Sequence, residues 1–391
     1  MNVTTLQLSE EQAKPRTIRR LLAMDPLLMV AALGLVGCSL ITLKGAAGTH
    51  YVERQGLYAG MGLVLAVIIS RFDYSRLREY RYGFYALMVI SNIVVYAMPA
   101  QLGARRWIPL PVLQVQPSEF GKVLMILALA GFFVERSRSL YDWRTTVRTM
   151  VLAMAGALIV IGQPDLGTGL VYVAVAVAVL FFGGTSWKQL SALAALFVIA
   201  AVMVLAVAPA VGVNVLKTYQ KERLTTFINP PRVCGQNDTT CYQLNQSLIA
   251  IGSGQKTGRG VAGATQTKFQ FIPEAQADFI FAVVGETYGF VGAALVLSLY
   301  ALLIWRTLRI LTMAKNLFGT VIAGGILGML MFQIFVNVGM TIGIMPVTGV
   351  PLPLLSYGGS SVMVTFISLG LLQSIYNQGR AASAAKARVV L

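Results

Sequence analysis

The sequence predicts an all-α integral membrane protein of about ten transmembrane helices, with a large extracytoplasmic loop between the seventh and the eighth. Three observations carry this expectation. Hydrophobic residues make up 56% of the 391 and charged residues only 12%, against about 25% charged in soluble domains, and mean hydropathy is +0.71. A window of about 19 residues finds ten apolar stretches, each about long enough to cross a bilayer as a tilted helix. Lysine and arginine, finally, alternate in density from one connecting loop to the next.

The stretches run roughly over 27–43, 55–70, 83–99, 117–135, 149–164, 167–184, 190–213, 278–304, 318–342 and 355–377. Ahead of the first, residues 1–26 form a polar tail with Lys14, Arg16, Arg19 and Arg20, and nothing in it reads as a cleavable leader. Arg71, Arg76, Arg78 and Arg81 follow the second stretch, and Arg136, Arg138, Arg144 and Arg148 follow the fourth. The alternate short loops carry only Lys44, Arg54, Arg105 and Arg106, so the positive-inside rule puts both termini, including the tail 378–391, in the cytoplasm. The loop of about 214–277 then lies outside. The net charge of +16 reads as this bias plus attraction to anionic membrane lipid; cytoplasmic loops this short exclude nucleic acid as a partner.

Taken in order, Cys38 in the first stretch is a small apolar filler. Arg105 and Arg106 stand outside, against the charge rule and beside Trp107, where they anchor to headgroups or bind an anion such as phosphate. Glu119 and Lys122, three apart, share a face of the fourth helix as an ion pair. Such a pair either pins two helices or lines a polar cavity. Gly162-Gln-Pro-Asp-Leu-Gly167 forms a tight turn in which Asp165 caps the next helix or serves the site. Cys234 and Cys241 bracket six residues in an oxidising compartment and are disulfide candidates. Gln246 to Gly254 reads as a short interfacial helix ending in a turn. Asp278 and Glu286 follow at the threshold of the eighth span, where carboxylates are costly and thus candidate functional groups. Pro351-Leu-Pro-Leu-Leu-Ser-Tyr-Gly-Gly-Ser-Ser361 breaks helical periodicity, as a re-entrant segment or an ordinary loop does.

Several of these motifs occur together in a fixed order: Gly103-Ala-Arg-Arg-Trp107, Gln116-Pro-Ser-Glu119 with Lys122, Gln163-Pro-Asp-Leu-Gly167, Arg223-Leu-Thr225, Gln246-Ser-Leu-Ile-Ala-Ile-Gly-Ser-Gly254, Phe271-Ile-Pro-Glu274 before Asp278-Phe-Ile-Phe281, and Leu355-Ser-Tyr-Gly-Gly-Ser-Ser361. In this the chain resembles the SEDS family, the RodA and FtsW proteins of bacterial shape, elongation, division and sporulation, from the first span to the tenth. The resemblance implies a ten-helix glycosyltransferase of the bacterial cytoplasmic membrane. It would polymerise lipid II, the undecaprenyl-pyrophosphate-linked disaccharide peptide, beside a monofunctional class B penicillin-binding protein. It puts the essential carboxylate at Asp278 and makes Glu119, Lys122, Arg105, Arg106, Asp165, Arg223, Glu274 and Ser360 substrate-binding candidates. The chain departs from the family's pattern at Gln276 and Ala277, where His and Thr are usual, so any orienting hydrogen bond from those is absent or replaced. The short tails favour the elongation type over the division type.

The chemistry asks for the same groups. Attack of a sugar hydroxyl on an anomeric carbon needs a base, for which Asp278 is placed. A pyrophosphate leaving group needs cations, supplied by Arg105, Arg106, Lys122 and Arg223 with a divalent metal, Mg or Mn, as a further candidate; no organic cofactor is expected. The single histidine, His50, reads as an interfacial residue. An inverting displacement fits one dominant carboxylate. Two other classes stay open: a flippase for the lipid-linked precursor, which a bundle with intramembrane charges and broken helices also fits, and a non-catalytic scaffold for a transpeptidase.

Overall fold

A computed structural model describes residues 24–99, 105–109, 114–136, 142–207, 223, 227 and 239–389. Each of the ten apolar stretches falls on a helix over its described residues. In chain order these are α1 (Pro26–Ala46), α2 (Thr49–Ile69), α3 (Arg81–Val94), α4 (Pro117–Glu135), α5 (Trp143–Gly162), α6 (Leu166–Gly183) and α7 (Trp187–Val202). After the helix α8 (Thr239–Gly254) of the long loop come α9 (Ile280–Thr312), α10 (Leu317–Thr341) and α11 (Gly359–Val389). Eight are long and apolar enough to span a membrane by themselves; the shorter α3 and α7 are extended by a 3-10 turn at Val95–Ala97 and a π turn at Met203–Val207. The only described strands, β1 (Ile108–Pro109) and β2 (Gln114–Val115), pair antiparallel just before α4.

Local chemistry sets the helix starts. Asp25, Asp142, Asp165 and Asn316 each accept a hydrogen bond from a backbone N–H of the first turn of α1, α5, α6 and α10, and Pro26 and Pro117 occupy first-turn positions where no N–H is needed. Packing then sorts the helices: α4 buries almost every residue from Pro117 to Val134, whereas α7 buries Gln189 alone and presents Leu196, Phe197, Val198 and Ile199 outward. At the end of α9 remote from Asp278, the buried Asp25 carboxylate takes two hydrogen bonds from Arg306, and the Asp25 N–H donates to Gln373 Oε1 at 2.7 Å. This clamp ties α1, α9 and α11 together.

Three expectations are revised. The last helix runs on to Val389, so the segment expected as a tail continues α11 as far as the described residues go. The helix expected over 246–254 begins at Thr239 and is packed inward: Ser247 and Ala250 are inaccessible, and Ser247 Oγ donates to the Thr341 carbonyl at 2.8 Å. The eighth span starts at Ile280, leaving Asp278 just ahead of it, and it is broken at Gly289 (φ 63°, ψ −157°). The turn after α8 fills that break. Phe290 and Val291 N–H donate to the carbonyls of Gln255 (2.9 Å) and Lys256 (3.1 Å), and Arg259 N–H to that of Glu286 (2.9 Å). Backbone groups freed at membrane depth are thus satisfied by another stretch of backbone. Only glycine permits this approach: a Cβ on Gly254 would stand 1.8 Å from the Gly285 carbonyl oxygen.

The segment 343–358 is irregular and, from Val347 to Ser356, mostly buried, as the re-entrant reading expected. Its carbonyls are met by side chains of the surrounding helices: Val350 by Asn337 (2.7 Å), Pro353 by Tyr300 (2.6 Å), Leu355 by Ser39 (2.7 Å) and Ser356 by Gln55 (3.0 Å).

Candidate active site

Asp278 sits where three pieces of chain meet: the start of α9, the irregular segment before α11, and the start of α6. Its backbone is fixed first. The Asp278 N–H donates to the Glu274 carbonyl (3.1 Å), and its own carbonyl accepts from Asn337 Nδ2 (2.9 Å), the amide that also holds Val350. Two residues upstream, the Gln276 carbonyl accepts the Tyr357 N–H at 2.9 Å. Gly349, at φ 72°, lies so close that a Cβ there would be 3.4 Å from Asp278 Oδ2. Glu274 holds a left-handed conformation (φ 52°), a strain that for a non-glycine residue marks a position fixed by its surroundings.

The Asp278 carboxyl is enclosed although the residue keeps some surface, and this burial is the main reason its pKa is pushed up to about 6. Arg223 and, less strongly, Arg106 pull the other way, while Glu274 and Asp165 add to the rise. Four of the candidates from the sequence, Arg223, Glu274, Asp165 and Arg106, therefore lie within electrostatic reach of a fifth, Asp278. They leave a carboxylate that is ionised at neutral pH yet basic enough to take a proton.

Other candidates take supporting positions. Asp165 caps α6 through the Thr168 N–H (3.1 Å) and also accepts from Gln116 Nε2 (3.1 Å), so both readings of it describe the same side chain. Arg106 is held by the carbonyls of Gln163 (3.1 Å) and Pro164, which orients it over the α5–α6 turn. Arg105 instead donates to the Tyr96 carbonyl at 2.8 Å and is exposed. Ser360 joins α11 to the β ribbon, donating to the Gln114 carbonyl and accepting from the Gln116 N–H, both at 3.0 Å. One helical turn below Gln116, Lys122 Nζ and Glu119 Oε1 pair at 2.6 Å, with side chains 1% and 3% exposed. Glu119 Oε2 is buried without a described partner. Gln276, standing where the family usually has His, reaches Glu274 Oε2 (3.3 Å) with its side chain.

Glu286 is a structural carboxylate. It is inaccessible and takes hydrogen bonds from Gln266 N–H (2.8 Å), Thr267 N–H (2.9 Å) and Thr267 Oγ1 (2.6 Å), pinning the turn Thr265–Lys268 to α9. Cys241 is disulfide-bonded and Cys38 is free; Cys234 lies outside the described residues. No group of three His, Cys, Asp or Glu side chains converges among the described residues, so they do not form a protein cage for the divalent metal considered above. Asn337 was missed from the sequence, although a lone asparagine deep in an apolar run is a signal in its own right.

A family model described as cell cycle protein, covering FtsW, RodA and SpoVE, matches residues 16–381. The peptidoglycan glycosyltransferase MrdB of Escherichia coli K12 is 36% identical over 359 residues, 90% of this chain and 93% of that protein. Among solved structures, a chain from work on a peptidoglycan synthase complex that coordinates polymerization and crosslinking superimposes with a TM-score of 0.78 at 31% identity, covering 92% of this chain and 99% of that one. Thermus thermophilus rod shape determining protein RodA does so with a TM-score of 0.66 at 27% identity, over 91% and 98%.

Proposed function

The chain belongs to the FtsW/RodA/SpoVE family, and from that premise we propose that it is a lipid II polymerase in which Asp278 is the general base. It is a multi-pass membrane protein and a peptidoglycan glycosyltransferase, as its relatives are named. The observation that supports the assignment of roles is the pairing of one enclosed carboxylate, raised to about 6, with Arg223 and Arg106 beside it.

In the proposed reaction Asp278 takes the proton of an acceptor sugar hydroxyl as that oxygen attacks the donor's anomeric carbon. A new C–O glycosidic bond forms, and the bond from the anomeric carbon to the pyrophosphate oxygen breaks. The pyrophosphate leaves with the electron pair, its charge met by Arg223 and Arg106; the proton passes from Asp278 to solvent at the mouth. One displacement inverts the anomeric centre. Asp165 and Ser360 act by positioning the turn and the ribbon that frame the site, and Asn337 by fixing the Asp278 backbone. Both termini face the cytoplasm, the site opens at the outer face of the cytoplasmic membrane, and the chain acts in cell elongation. A class B penicillin-binding protein is the partner, in keeping with the complex in which the structural neighbour was solved. A flippase would need a polar path through the bundle, whereas Glu119 and Lys122 are paired and shut in.

The test is purified lipid II given to the purified chain, alone and with a transpeptidase partner. Glycan strands are expected; lipid II translocation in liposomes without polymer would instead carry the flippase reading.

A further inference from the structure

The mechanism leaves unused an aromatic pair that is tied to the backbone two residues from Asp278. Tyr357 is bound through its N–H to Gln276, and its ring meets Tyr51 of α2 at 4.9 Å between centroids and 77° between planes, forming an open corner. Both tyrosines are half-buried, His50 stands edge-on to Tyr51 at 6.1 Å, and the Arg54 guanidinium lies beside the Tyr357 hydroxyl. The corner is rigid. Gln55 is inaccessible and donates to Ser39 Oγ (3.2 Å) and the Ser356 carbonyl (3.0 Å) while accepting from the Gly358 N–H (3.3 Å), so the second turn of α2 is locked to the residues on either side of Tyr357.

We propose that Tyr51 and Tyr357, edged by Arg54, form a saccharide platform that holds a sugar ring of the glycan beside Asp278. This rests on the glycosyltransferase reading and adds a subsite to it. Aromatic residues at a membrane surface commonly serve as single anchors in the headgroup layer. These two are instead fixed to each other, and one is fixed to the backbone two residues from the base. Aromatic faces carry negative charge density and attract the C–H edges of a pyranose, while they offer a pyrophosphate nothing. The site would then offer two chemistries, Arg106 and Arg223 for phosphate and an aromatic corner with polar rims, Arg54 among them, for the sugar, the usual composition of a ligand pocket.

The probe is a soluble β-1,4-linked N-acetylglucosamine tetrasaccharide, which carries neither lipid nor phosphate, titrated into the full chain in nanodiscs by calorimetry, with polymerisation of lipid II measured in parallel. Binding to wild type is expected. It should weaken about three- to tenfold in Tyr51→Ala, be restored in Tyr51→Phe, and be unmoved in Asp278→Asn. Tyr357→Ala should match Tyr51→Ala; if it fails to fold, Tyr51→Ala decides alone, because no described backbone bond depends on that ring. Failure of wild type to bind, or equal binding by Tyr51→Ala, overturns the platform even if polymer is made. Tyrosine-dependent binding without any polymer leaves the platform standing and removes the transferase reading.

Discussion

Asp278 and Glu286 lie on the same short stretch of chain, one just before α9 and the other in its second turn, and they do opposite things. Around Glu286 the protein supplies three donors and no access to solvent; its carboxylate is consumed in holding Thr265–Lys268 against α9. Around Asp278 the described hydrogen bonds are made by the backbone, and the enclosed carboxyl lies among charges of both signs. A carboxylate whose acceptors are all satisfied is a fastener; one whose backbone is fixed while its carboxyl has no described hydrogen bond is available for chemistry. The same rule separates Asp25, doubly bonded to Arg306 at the far end of α9, from Asp278.

The contrast breaks most visibly if Glu286 is removed. Glu286→Ala leaves two N–H groups and a hydroxyl buried without partners and should lower stability by roughly 3–5 kcal/mol, seen as loss of monodisperse protein or a fall in Tm. Retained stability would mean that Glu286 is not the fastener described. Next, Gly254→Ala drives a Cβ into the Gly285 carbonyl where the α8 turn fills the break in α9, and should destabilise by about 2–3 kcal/mol in a thermal melt. An unchanged melt would show that the interlock is loose.

The pH dependence sharpens the comparison from the other side. Asp278 must be ionised to act as base, and its pKa is raised to about 6, so the polymerisation rate should fall as pH drops through about 6 and level off above it. Arg223 favours the ionised form, so Arg223→Gln should move this acidic limb to higher pH, by on the order of one unit. Glu274 opposes it, so Glu274→Gln should move the limb to lower pH. Limbs that stay in place under both substitutions would show that another group titrates.

How much of this was readable beforehand follows from what hydropathy and motif spacing encode. The helices under the ten apolar stretches were legible because each stretch is a contiguous apolar run, eight of these helices being long and apolar enough to cross a membrane, and the tight turn at Pro164 because proline and glycine mark it. Asp278, Asp165 and Arg106 were singled out one by one as charges at costly positions, and Arg223 and Glu274 with the motifs that carry the resemblance; their grouping was not legible, since no periodicity links positions so far apart in the chain. The break at Gly289 was hidden: one glycine in an apolar helix looks like any other until the α8 turn that fills it is in place. Glu286 could not be told from Asp278 because its three donors come from residues 266 and 267, whose approach depends on the same interlock. Likewise Asp165 looked like a choice between cap and site residue; the fold makes it the cap of α6 and sets it within electrostatic reach of Asp278.

The measurement that bears most directly on Asp278 is lipid II polymerisation by purified wild type, Asp278→Asn and Glu286→Gln, each normalised to folded protein. Asp278→Asn should fold with a wild-type melt and lose at least about a hundredfold in rate, the usual contribution of a general base, while Glu286→Gln should melt lower but polymerise normally per folded molecule. Polymerisation by Asp278→Asn at the wild-type rate would contradict the assignment of the base.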